Sequence, residues 1–230
     1  MKKLLLSNRL EAVFNMIDKS KCLADIGTDH GYIPIKAILE EKCERAIASD
    51  IKKGPIDVAL KNIKRYGLLD KIDLRIGPGL TTLKEGEAET IVIAGMGGNL
   101  IADIIKNDID VAKNSNYLIL QPVQYPEVLR QELYNENFYI IDEDIIKDEN
   151  KYYHILKVTY GKKNKYNLQA EFFVGPVNIM KKSKETLNYI DDKIIHFEKI
   201  LMGLDINLHY NKYKEVENLI NSFKELKKCL

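Results

Sequence analysis

Four short segments carry residue types suited to holding a small polar ligand. The first, Asp25-Ile-Gly-Thr-Asp-His-Gly31, sets two carboxylates, an imidazole and two glycines within seven residues. Glycines at 27 and 31 permit a tight turn and close approach of backbone to a ligand. A carboxylate at 25 suits a ligand with a cationic amino group. The spacing is not G-x-G-x-x-G, so a dinucleotide pyrophosphate is disfavoured. The second is Asp50, 19 residues past Gly31, where a carboxylate can meet ribose hydroxyls. The third is Gly77-Pro-Gly-Leu80 and the fourth is Ala94-Gly-Met-Gly-Gly98. A lone Asp or Gly at a strand end is usually structural. Four such segments after successive strands point to a ligand containing a nucleoside.

The elements that must position them read from the apolar runs. Candidate strands cover 22–26, 46–50, 72–76, 90–94, 117–120, 139–146 and 153–160. Helical patterns separate the early ones. Pro34 and Pro55 sit where first helical turns accept proline, Gly67 where a helix ends, and Pro126 opens a helix to Asn135. Strands alternating with helices predict an α/β fold with a parallel, doubly wound sheet. In such sheets, ligands bind outside the strand C-terminal ends, where all four segments fall. The last two runs predict an antiparallel hairpin at the sheet edge.

Residues 1–160, opening with an amphipathic helix over 1–19, form one part, and 161–230 a second. Leu6, Leu10, Val13, Phe14 and Ile17 share one side of that first helix. In the second part, residues 162–165 read as a linker. From Met180, Leu187, Ile190, Ile194, Phe197, Leu201 and Leu204 follow helical spacing. A second helix begins near His209 and carries Tyr213, Val216, Ile220, Phe223 and Leu226. The two predict a helical hairpin or short coiled coil.

Composition excludes several classes. The chain has 230 residues, 45% hydrophobic and 30% charged, which is globular rather than disordered usage. No apolar run approaches the roughly 18–20 residues of a membrane helix. MKKLLL imitates the start of a signal peptide, but Ser7, Asn8, Arg9 and Glu11 break it, so an unexported protein is expected. Three cysteines, Cys22, Cys43 and Cys229, fit neither a disulfide framework nor a metal or redox spacing, consistent with reducing cytosol. Net charge is +1, but residues 161–230 hold 13 basic against 9 acidic groups, and the first 21 hold five against two. Both ends are basic around a mildly acidic middle, a distribution that suits phosphates.

D-I-G-T-D-H-G-Y-I-P (25–34), A-S-D-I-x-x-G-P (48–55), I-V-I-A-G-M-G-G-N-L-I (91–101) and L-Q-P (120–122) resemble the bacterial tRNA (adenine(22)-N1)-methyltransferases. L-S-N-R-L (6–10) and F-V-G-P (173–176) resemble that family too. The resemblance covers essentially the whole chain in order. It implies a class I (Rossmann-like) S-adenosylmethionine-dependent methyltransferase fold with a C-terminal helical extension. It implies S-adenosylmethionine as cofactor, tRNA as substrate, and no metal. By this resemblance, Asp25, Gly27, Asp50, Ile51, Gly77, Gly79, Ala94 and Gly95 contact the cofactor. Arg9, His30, Tyr32, Met96 and Gly97 face the substrate, and Asp29 is catalytic. The pattern departs at Pro78, where the family often has a polar residue, and at Val123, where it usually has Asn.

Adenine N1 already presents a lone pair, so orientation and exclusion of water should supply most of the rate. The product is cationic, so a carboxylate nearby stabilises it; Asp29 is the candidate, or accepts a hydrogen bond from the exocyclic amine. No Asn/Asp-Pro-Pro-aromatic motif follows the fourth strand, which argues against exocyclic amine methylation. No cysteine falls near the site for C5 chemistry. His30 reads equally as a loop-holding residue, Tyr32 as packing or base stacking, and Arg9 as a phosphate contact or a salt bridge to the domain. His154, His196 and His209 read as non-catalytic. Phosphate contacts are expected from Lys2, Lys3, Arg9, Lys162–Lys165, Lys181, Lys182 and Lys184. A cytoplasmic monomer is expected. Alternatives are a metabolite methyltransferase, or a non-catalytic S-adenosylmethionine-binding protein acting through its coiled coil.

Overall fold

The structure is a computed structural model and describes residues 4–230. Seven strands form one sheet: β1 (Ser20–Ile26), β2 (Cys43–Asp50), β3 (Ile72–Ile76), β4 (Thr90–Met96), β5 (Tyr117–Pro122), β6 (Phe138–Asp148) and β7 (Lys151–Tyr160). Their order is β3-β2-β1-β4-β5-β7-β6. The first five run parallel, and β6 and β7 form an antiparallel hairpin on the β5 edge. Every expected strand is present, most a few residues longer than the apolar run that announced it. The strand order reverses between β1 and β4, and such a reversal opens a crevice at the strand C-terminal ends.

Helices cover both faces. α1 (Asn8–Asn15), α2 (Tyr32–Leu39) and α3 (Lys53–Tyr66) lie on one side, packing Val13, Phe14, Ile35 and Ile63 against Leu23, Val92 and Ile119. α4 (Gly98–Asn107), α5 (Ile109–Lys113) and α6 (Pro126–Asn135) lie on the other, packing Ile101, Ile105, Leu129 and Leu133 against Ile26, Ile93 and Leu120. All six residues of β5 are buried, which is why Tyr117–Leu120 read as a continuous apolar run rather than an alternating one. β6 sits at the margin and shows partial alternation.

After β7 come α7 (Gln169–Val174), α8 (Pro176–Lys181), α9 (Lys184–Met202) and α10 (Tyr210–Lys228). The expected helical hairpin is α9 and α10. With α7 it buries a third cluster: Ile145 of β6, Ala170, Val174, Tyr189, Ile190, Leu219, Phe223 and Leu226.

Three expectations are corrected. The first helix is shorter than 1–19, starting at Asn8 under a Ser7 cap that accepts the Leu10 N–H. The third-cluster helix begins at Lys184 rather than near Met180, because Lys182 takes a left-handed backbone and Ser183 caps a new helix. Leu187, expected on the seam, is exposed, and Tyr189 is buried instead. The start of α9 packs toward β7, where Tyr189 meets Tyr152 and His154 edge-on, and this rotates the buried face. The linker at 162–165 is irregular but anchored: the buried Asn164 side chain accepts from Ile140 N–H at 2.8 Å, beside the register shift in β6.

Candidate active site

The C-terminal ends of β1, β2, β3 and β4 bring the four expected segments to one edge of the sheet. The β1 end turns sharply: Gly27 and Thr28 both donate backbone N–H to Ser49 O on β2, at 2.8 and 2.9 Å. Gly27 has φ +73, and a Cβ there would collide with the Met96 methyl. Met96, at the end of β4, therefore reaches across to the β1 loop. That contact joins the first and fourth segments.

Asp25 is 5% exposed, and its Oδ2 accepts from Thr28 Oγ1 at 2.6 Å. Burial pushes its pKa up from 3.8 to about 6; the Thr28 hydrogen bond opposes this, and Asp50 and Asp29 add to it. A buried carboxylate with two acids nearby is a site prepared for a cation. Asp50 closes β2, its Oδ1 accepting from Lys52 N–H at 2.9 Å. Ile51 is 63% exposed and Ile76, paired with Asp50 across β2 and β3, 59%. Two bare isoleucines beside a strand-end carboxylate suit the flat apolar face of a purine.

Gly77 and Gly79 flank Pro78 in the turn after β3. A Cβ on Gly77 would press the Thr82 methyl at 2.8 Å, and one on Gly79 would meet Ile104 at 3.1 Å, so internal packing alone restricts both. Ala94, Gly95 and Met96 span a register shift between β4 and β5. Gly97 lies just ahead of α4, under the Gln124 side chain.

Asp29 takes a left-handed backbone, φ +51, and its side chain is 68% exposed with Oδ2 3.3 Å from His30 Nε2. His30 stacks on Tyr32 with ring centres 5.2 Å apart and planes 20° from parallel. The His30 backbone carbonyl accepts from Asn62 of α3 at 2.9 Å, a loop contact that does not use the imidazole. Arg9 has an internal partner: Nη1 donates to Gln121 Oε1 at 2.6 Å, and the same oxygen accepts from Gly95 N–H at 3.2 Å.

Sequence reasoning gave no role to Thr28, Ile76, Asn62 or Gln121. Thr28 stood inside a quoted motif, three residues from Asp25, and that spacing was a usable signal. L-Q-P was likewise quoted, but the two donors to Gln121 Oε1 come from residues 9 and 95, which no local pattern links.

The residues fit S-adenosylmethionine. Asp25 offers a buried carboxylate, Asp50 a strand-end carboxylate, Ile51 and Ile76 an apolar face, and Gly27 a left-handed turn that favours glycine.

Comparison with known proteins agrees with this geometry. Residues 6–156 match the family described as "Methyltransferase domain". The tRNA (adenine(22)-N(1))-methyltransferase of Bacillus subtilis (strain 168) is 35% identical over 234 residues, covering 98% of each chain. The crystal structure of the B. subtilis M1A22 tRNA methyltransferase TrmK superposes with a TM-score of 0.90 at 34% identity, covering 98% of this chain and 100% of that one. Streptococcus pneumoniae Sp1610, a putative tRNA (m1A22) methyltransferase solved in complex with S-adenosyl-L-methionine, gives 0.87 at 30% identity, over 97% and 100%. With its site, its fold and its full-length likeness in agreement, the chain belongs to the tRNA (adenine(22)-N1)-methyltransferase family.

Proposed function

We propose that the protein transfers the methyl group of S-adenosylmethionine to N1 of adenine 22 in tRNA. The observation that carries this reading is the meeting of D-I-G-T-D-H and A-G-M-G-G at the sheet's reversal point, where Met96 crosses to Gly27. Full-length similarity to the B. subtilis enzyme supports the same chemistry.

In this reading Asp25 holds the amino group of the cofactor, Asp50 its ribose, and Ile51, with the Gly77 and Gly79 turn, its adenine. Ala94 and Gly95 border the path of the methyl group. The cofactor, when bound, supplies an electrophilic methyl on a sulfonium. The target nitrogen attacks with its own lone pair, so the protein need only orient it and exclude water. His30 and Tyr32 present a stacked aromatic pair beside Asp29, suited to a base turned out of the tRNA. Met96 and Gly97 close the opposite side. As N1 becomes positive, Asp29 provides the compensating charge. Arg9, held on Gln121 and over the Tyr153 ring, sits beside Gly95 and positions that wall.

Among the described residues no helix is long and apolar enough to cross a membrane. We place the enzyme in the cytoplasm, with its substrate. We take it to act as a monomer, since α9 and α10 bury Ile190, Ile220 and Phe223 within one chain.

The test is incubation with labelled S-adenosylmethionine and unmodified tRNA, followed by digestion to nucleosides and mass spectrometry. The expected product is 1-methyladenosine, absent from a transcript carrying guanosine at position 22. Incorporation unchanged by that replacement would reassign the position, and no 1-methyladenosine would refute the activity.

A further inference from the structure

A groove of about 540 Å³ lies between the β5–α6 loop and the α9–α10 hairpin, outside the methyl-transfer site. Its volume is in the range of small-molecule sites. Tyr125, Tyr152, Phe173, Tyr189 and Phe197 supply aromatic wall. Lys193 stands over three rings, with Nζ 5.7 Å from the centre of Phe173, 5.4 Å from Tyr189 and 5.8 Å from Phe197. Lys193 and the rim residue Lys151 make no ion pair among the described residues, whereas Lys212 is paired with Glu215 at 3.1 Å. Glu127 is the other rim acid, so the groove is net positive.

His154 forms part of the wall. Its Nδ1 lies 3.1 Å from Arg130 Nη2. A guanidinium only donates, so Nδ1 accepts and Nε2 carries the hydrogen. That Nε2 is buried with no partner.

The loop that lines the groove is tied to the site through its backbone. Val123 N–H donates to Met96 O at 2.9 Å, and Gly98 N–H donates to Gln124 O at 2.8 Å. The next residue, Tyr125, is held left-handed at φ 57 and is 49% exposed. A bulky residue held in that conformation is strained, and such strain collects at functional sites. The loop that borders the acceptor side thus contributes Tyr125 to the groove lining.

Resting on the methyltransferase reading above, we propose that this groove takes one unpaired nucleotide of the tRNA, near the target adenosine. Its base stacks on the aromatic wall and its phosphate meets Lys193. The half-buried ammonium among rings makes no ion pair with Glu127, the acid that faces it, so a phosphate can supply one, and base–aromatic stacking tolerates any base.

The test uses the full-length protein with Tyr125→Ala and, separately, Lys193→Met. Each is expected to raise KM for tRNA about tenfold, the range for losing one stacked base, with kcat and cofactor Kd within twofold of wild type. A set of tRNAs, each lacking one base near the target, then locates the occupant. At one position wild type loses about tenfold, and Tyr125→Ala loses nothing further there. Unchanged KM in both variants overturns the proposal, and leaves the groove to a protein or small-molecule occupant. A loss confined to kcat, or losses that add at every abasic position, overturns it too. If wild type forms no 1-methyladenosine, the parent reading fails first, and that result is distinct from an active enzyme with indifferent variants.

Discussion

At the residue scale, Asp25 and Asp29 show how one loop prepares two carboxylates differently. Asp25 is buried and its pKa stands near 6, above its ordinary 3.8. A raised acid pKa means the fold favours the protonated form. Its burial therefore costs nothing below pH 4, sets in between pH 4 and 6, and is complete above 6, at about 3 kcal/mol. A bound ammonium offsets that cost by favouring the carboxylate. Cofactor affinity should therefore rise from pH 5 to 7 and then level off, with proton release detectable by calorimetry in buffers of differing ionisation enthalpy. Asp25→Asn should bind weakly with no pH dependence over that range. Equal wild-type affinity at pH 5 and 7 would remove Asp25 from the amino group. Asp29 instead faces solvent, free to meet a substrate. Asp29→Ala should lower kcat by two orders of magnitude or more with cofactor Kd nearly unchanged, and a normal turnover rate would refute the catalytic role proposed for it. Both acids were legible in the sequence because their motif is local. Gln121 was not, because its function lies in joining Arg9 to Gly95 through space.

At the scale of elements, the seven strands were legible because buried parallel strands are written as apolar runs. The two six-residue helices α7 and α8 were not, since neither is long enough to show a period. F-V-G-P, seen in the sequence without a reason, marks their junction. Arg130 and Glu143 are both fully buried and paired at 2.8 Å. Arg130 Nη1 donates to the carbonyls of Phe172 and Phe173 at 2.9 and 3.0 Å, and Nη2 to that of Val174 at 3.2 Å. Glu143 Oε1 accepts from Val177 N–H at 2.8 Å and Asn178 N–H at 3.3 Å, at the start of α8. Gly175 has φ +99, and a Cβ there would strike the Glu143 carboxylate. Pro176 then starts α8. Glu143→Ala leaves a buried guanidinium unpaired and should cost about 3–5 kcal/mol in denaturant unfolding. Gly175→Ala should also destabilise strongly, through strain and collision together. Pairing Arg130→Met with Glu143→Met should recover much of the loss of either single change. Additive losses would show that the charge pair is not the link.

At the scale of the whole molecule, the charge asymmetry seen in the sequence resolves into lysines with different employment. Lys181 is tied to the Glu143 carbonyl at 2.6 Å and to Asp142 at 2.7 Å, and Lys182 reaches Leu230 O at 2.9 Å. Lys2 and Lys3 lie outside the described residues. Lys162, Lys163, Lys165 and Lys184 are exposed, though Lys163 also stands 4.8 Å over the ring of Tyr134. Sequence could count these charges but not say which were spent internally. The hairpin, too, shares its core with β6 through Ile145, so removing 178–230 would uncover Ala170 and Val174 as well. Such a truncation confounds grip with folding, and surface charge is the cleaner probe. Each phosphate neutralised contributes about 0.7–0.9 to the slope of log affinity against log salt. Wild-type binding to tRNA should weaken steeply with salt. Replacing Lys162, Lys163, Lys165 and Lys184 together with Gln should flatten that slope by about 3 while cofactor affinity and the melting temperature hold. An unchanged slope would place the phosphate contacts elsewhere on the surface. A flat response in the wild type would mean that this enzyme recognises its tRNA by the turned-out bases rather than by its backbone.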